Sequence, residues 1–116
     1  MLPESSARYD IARSLGDTRV LVLTRRQSLG GPPVDQTGMS ATLMFFDRAT
    51  GSTLATLSTA NGGLAALDAT GEIRIDLGHA NYVALPGGQY TYRLNLTESG
   101  RVRPLLRGTW RVVGDV

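Results

Sequence analysis

The stretch from Gln89 to Val113 constrains this chain most, because it writes a whole β-hairpin with two alternating runs, a turn and a buried anchor. Side chains alternate between the two faces of a strand, so parity sorts them. Even positions give Tyr90, Tyr92, Leu94, Leu96, Val102, Pro104, Leu106, Gly108, Trp110 and Val112, the core face. Odd positions give Thr91, Arg93, Asn95, Thr97, Arg101, Arg103, Leu105, Arg107, Thr109 and Arg111, the wet face. Between the runs, Glu98-Ser99-Gly100 reads as a three-residue loop closed by a left-handed glycine, which pairs Thr97 with Arg101 and Asn95 with Arg103. Pro104 offers no N–H to a ladder, so the returning strand is expected at a sheet edge or with a bulge there.

The same grammar runs through the rest of the chain. Residues 1–8 read as a mobile arm, and residues 9–116 as one domain. Tyr9 to Leu15 is a short strand, and Gly16-Asp17 turns the chain into Thr18–Thr24. Val20 to Leu23, apolar on both faces, suits a middle strand or one that touches a partner. The loop 27–38 is dense in glycine and proline. A strand over Ser40–Asp47 and a turn at Asp47–Gly51 lead into a return strand over Ser52–Ser58. Asn61-Gly62-Gly63 breaks that strand, and Leu64–Leu67 is an apolar piece without an assignable partner. Glu72–Leu77 points Ile73, Ile75 and Leu77 inward, and His79–Leu85 holds one helical turn crossing between sheets. About seven antiparallel strands, spaced by turn signals, predict an all-β immunoglobulin-like sandwich, with a small barrel as the alternative.

Composition narrows the function classes. The chain has 116 residues, no cysteine and no lysine, and its twelve arginines against ten acids leave a net charge of +2. Neither a disulfide framework nor a thiolate metal site is open to it. The charge balance is too small to argue for nucleic acid, and seven aromatic residues are few for a stacking platform. No apolar run is long enough for a membrane span, and the N-terminus lacks the apolar centre of a signal peptide, so an unexported, soluble chain is expected.

Chemistry is sparse. His79 is the only histidine, beside a turn, where a solvated or capping role is expected. Asp35, Asp47, Asp68 and Asp76 lie in separate turns without the dense spacing of a calcium loop. No nucleophile elbow, zinc-binding helix motif, phosphate loop or dinucleotide fingerprint occurs. The expectation is a non-enzyme without metal, cofactor or small-molecule substrate. The candidate site is instead a ladder of Arg93, Arg101, Arg103, Arg107 and Arg111, all placed on the outward face of the hairpin by the register above. It could dock on an acidic neighbour, or simply solvate the face and discourage edge-to-edge aggregation.

The order of motifs resembles small structural proteins of tailed bacteriophages, in particular the family related to the N-terminal domain of phage baseplate upper proteins. The resemblance rests on P-V-D-Q-T-G (33–38), F-F-D-R-A-T-G (45–51), A-T-G-E-I-R-I-D-L (69–77), L-P-G-G-Q-Y-T-Y-R-L (85–94) and E-S-G-R-V-R-P-L-L-R-G-T-W-R-V (98–112). It implies a non-enzymatic virion protein of the tail, baseplate or fibre-attachment region, made in the bacterial host cytoplasm and packed in many copies against other virion proteins or its own. A capsid decoration protein is the alternative within that class, and a host glycan-binding module the alternative outside it. Ser14-Leu15-Gly16-Asp17 departs from the basic R-x-G-D of many relatives, and the chain stops at Val116 without the extension that follows such domains. The missing extension favours a connecting or decorating subunit over a receptor-binding one.

Overall fold

A computed structural model describes residues 7–14, 19–24, 31–65, 67, 69–83 and 85–113. Nine strands and one helical turn follow in chain order: β1 (Ala7–Arg8), β2 (Ile11–Ser14), β3 (Val20–Thr24), β4 (Ser40–Asp47), β5 (Thr53–Ser58), β6 (Leu64–Ala65), β7 (Glu72–Asp76), α1 (Ala80–Val83), β8 (Gly88–Glu98) and β9 (Arg101–Val113). They form two sheets. The larger is ordered β1-β9-β8-β4-β5, with β2 also pairing β9, and the smaller is β3-β7-β6. The fold is an all-β sandwich.

The core lies between the sheets because each strand turns one parity inward. From the large sheet come Ala41, Leu43, Phe45, Leu57, Tyr90, Tyr92, Leu94, Leu96, Trp110 and Val112, and from the small sheet Leu64, Ile73 and Ile75. Leu21 and Leu23 of β3 pack against this cluster, and Tyr82 of α1 is buried in it. Trp110 sits at the centre, fully buried, with Phe45, Tyr82 and Tyr92 meeting it edge to face at centroid distances of 5.0, 5.8 and 5.5 Å. Such pairs add about 0.5–1.5 kcal/mol each beyond area burial. Its indole N–H donates to the Tyr82 hydroxyl at 3.1 Å, so the one polar atom of the anchor is satisfied.

Turn chemistry fixes the connections. The Asp35 carboxylate accepts from the Thr37 amide and hydroxyl, the Met39 amide bonds the Gln36 carbonyl, and Gly38 takes φ +83° to release the chain into β4. At the β4–β5 turn the Asp47 carboxylate accepts from the Ala49 amide, and Gly51 is left-handed. His79 caps α1. Its Nδ1 accepts from the Asn81 amide at 3.1 Å, which places the ring proton on Nε2, 3.0 Å from the Asn61 carbonyl that accepts it.

Several expectations are corrected. Ala7 and Arg8, read as part of the arm, pair in parallel with Leu106 and Arg107, and β2 pairs in parallel with Trp110–Val113. The strands are therefore not all antiparallel, and the described residues form nine where about seven were expected. The chain passes from the large sheet at β2 to the small sheet at β3, and the expected Gly16-Asp17 turn lies outside the described residues. β3 is an edge strand of its sheet rather than a middle one, with Val20 and Val22 exposed. Leu64 and Ala65 find their partner in β7.

Candidate interaction surface

The outward face of the large sheet is built by the hairpin β8–β9 beside β4. Its register differs from the expected one. Glu98 pairs with Arg101 across a two-residue turn, Ser99 and Gly100, whose φ angles of 51° and 80° are both positive, as a type I′ turn requires. Thr97 then faces Val102, Asn95 faces Pro104 and Leu94 faces Leu106, so Leu105 is the extra residue of a bulge. The bulge falls at Pro104, where the missing N–H called for one.

One extra residue reverses parity. Arg93, Arg107 and Arg111 remain on the outward face, with Arg93 directly opposite Arg107 and Gln89 opposite Arg111. Arg101 and Arg103 instead share the parity of Glu98 and Leu96, on the other side of the protruding hairpin tip. The five-arginine ladder is therefore two groups. Val102 and Pro104, expected in the core, are exposed for the same reason, Val102 at 64 %.

What the outward face holds is a groove of about 480 Å³ lined by Phe46, Arg48, Gly51, Thr91, Tyr92, Arg93, Arg107, Gly108 and Thr109. Strand pairing sets its plan. Arg107, Arg93 and Met44 lie in one row across β9, β8 and β4, and Thr109, Thr91 and Phe46 in the next. Arg48 leans in from the β4–β5 turn and donates to the Gln89 side-chain carbonyl. The Arg93 guanidinium stands 5.5 Å from the Phe46 ring centroid, a cation–π contact that orients it. None of the nine lining residues is acidic. Such an arrangement can hold an anion with forked donors, but it contains no nucleophile–base pair.

Arg48 and Phe46 were not singled out from the sequence. The pairing of β4 with β8 sets Phe46 beside Thr91, whereas Arg48 lies in the β4–β5 turn past the last pair, where no strand period points to it. The described residues contain no group of three or more His, Cys, Asp or Glu side chains able to share a metal. No helix among the described residues is long and apolar enough to cross a membrane. The rings that a glycan platform would expose, Tyr90, Tyr92 and Trp110, are all buried. In comparisons with known proteins, the chain matches no family model and no curated protein at a significant level.

Proposed function

We propose that the chain is a non-enzymatic virion subunit of a tailed bacteriophage, built as an immunoglobulin-like sandwich and acting by protein–protein packing in the tail, baseplate or fibre-attachment region. The observation that carries this reading is a division of labour. The residues on which the resemblance rests mostly build the sandwich: Asp35 and Gly38 shape the loop before β4, Asp47 closes the β4–β5 turn, and Tyr90 and Trp110 are core. The outward faces are left for partners, and the large sheet places Arg93, Arg107 and Arg111 there.

Two features support the immunoglobulin-like topology. The first strands run parallel to the last one, at the edge of a sheet that faces a separate three-stranded sheet. The Tyr90 hydroxyl also turns back to donate to the Pro86 carbonyl four residues upstream, as in a tyrosine corner. A capsid-decorating subunit would use the same chemistry at a different address. Mass spectrometry of purified particles, separated into heads and tails, tests the role. Peptides of this chain at stoichiometric abundance in the tail fraction are expected. Their absence from every fraction would remove the proposal.

A further inference from the structure

We propose that the groove of Arg48, Arg93 and Arg107 is a receptor for the carboxylates of an acidic segment on a neighbouring protein. The starting point is an energetic oddity. Arg93 and Arg107 are directly opposed cross-strand neighbours, and like charges in that position destabilise a sheet. Among the described residues neither forms an ion pair with a carboxylate: Arg93 stands over the Phe46 ring, and Arg107 lines the groove beside it. Arg48, the third guanidinium on the groove, is held by a neutral amide rather than an acid. A face selected only for solvation would separate these charges or interleave acids. This one gathers them around a concavity.

The geometry of the donors favours carboxylate. A guanidinium presents a planar fork that matches a carboxylate with two parallel hydrogen bonds. Thr91 and Thr109, paired across β8 and β9 on the floor of the groove, add hydroxyl donors between Arg48 at one end and the Arg93–Arg107 pair at the other. Rows two residues apart along a strand are roughly 7 Å apart, about the spacing of alternate side chains on an extended acidic peptide. Phe46 offers apolar contact for the stem of one such side chain.

Nucleic acid fits less well. The one aromatic ring in the groove outside the core, Phe46, is already occupied by Arg93, so it gives no free platform for a base. The arginines converge on one concavity instead of tracking a backbone, and the chain's net charge is only +2. The neighbour's identity as a virion protein rests on the proposed function, whereas the carboxylate chemistry does not.

Fluorescence anisotropy with a labelled hexaglutamate peptide tests the assignment, using hexaglutamine and hexathymidylate as parallel probes. At low salt hexaglutamate should bind saturably, hexaglutamine should not bind, and hexathymidylate should bind more weakly than hexaglutamate. Arg93→Gln and Arg107→Gln should each weaken hexaglutamate binding about tenfold. The double variant R101Q/R103Q, which removes two charges elsewhere, should leave it within about twofold. All three variants should keep the wild-type circular dichroism spectrum, since these side chains are exposed. Equal weakening by the tip variant would reduce the binding to net charge and overturn the site, and tighter binding of hexathymidylate would overturn the choice of carboxylate. The two proposals fail separately. A chain absent from particles that still binds hexaglutamate through Arg93 and Arg107 keeps the groove, and a chain present in particles without that selectivity loses it.

Discussion

At the scale of single residues, Gly108 ties the N-terminal strands to the rest of the sheet. A Cβ built there would lie 2.3 Å from the Tyr9 carbonyl oxygen and 2.8 Å from a carboxylate oxygen of Asp10. Both atoms are already committed. The Tyr9 oxygen accepts from the Tyr92 hydroxyl, and Asp10 accepts from the Thr109 amide at 2.9 Å, where the chain jogs between β1 and β2. Since the obstacle is backbone, it cannot swing aside. Gly108→Ala should therefore lower the unfolding free energy by about 1–3 kcal/mol, read from urea denaturation. An unchanged midpoint would mean that Tyr9 and Asp10 do not lie against β9. Tyr92 reports on the same junction through pH. Burial first, and then the Asp10 carboxylate and Tyr9, push its hydroxyl up to about 12. The unfolded tyrosine ionises near its ordinary value of 10 while the folded one keeps its proton. Stability from this group is thus complete below pH 10 and is lost as pH rises from about 10 through 12. Tyr92→Phe should be the less stable protein at pH 8, by roughly 0.5–1.5 kcal/mol for the lost hydrogen bond. The gap between the two should narrow across pH 10–12 in urea titrations. A gap that stays constant over that range would show that the hydroxyl is not buried against Tyr9.

At the scale of elements, the hairpin shows what alternation can and cannot specify. Parity placed Tyr90, Tyr92, Leu94, Leu96, Trp110 and Val112 inward, and all six are buried. It held there because each strand is half-buried, and a one-residue slip would have exposed the whole set. The same rule failed beyond Leu105, where Pro104 signalled a bulge but the parity reversal that a bulge brings was not carried along the strand. Arg101 and Arg103 lie off the expected face for that reason alone. The parallel pairing of β1 and β2 with β9 was not legible, because Ala7 and Leu106 are joined by nothing local. Leu64–Ala65 was equally silent, since a two-residue strand carries no period. The groove was half visible. Arg93 and Arg107 came from the hairpin, whereas Phe46 required knowing which strand lies beside β8, and Arg48 lies in a turn where no strand period points to it.

At the scale of the whole molecule, the question is which part of a body 41 × 29 × 28 Å across is free to join a neighbour. Two edges are poorly suited. At the edge strand β5, the amides of Asn61 and Asn81 both donate to the Thr56 carbonyl at 3.0 Å, so a strand arriving there would find that acceptor taken. At the hairpin tip, Pro104 has no N–H to offer along the stretch of β9 that β1 leaves uncovered. Association through the outward face is then favoured over strand addition at these edges, and the two arginine groups separate the options. Reversing Arg93 and Arg107 to glutamate replaces one opposed like-charge pair by another, so folding should be nearly unaffected while an acidic neighbour is repelled. Reversing Arg101 and Arg103 sets Glu98 against a new acid at the tip, at a cost of roughly 0.2–1 kcal/mol, and leaves the groove untouched. If the chain is built into a particle through its face, R93E/R107E should be missing from particles assembled in its presence, and R101E/R103E should be incorporated like the wild type. Quantitative mass spectrometry of those particles reads both. The opposite pattern would move the contact from the sheet face to the tip, and full incorporation of both variants would confine all the hairpin arginines to solvation.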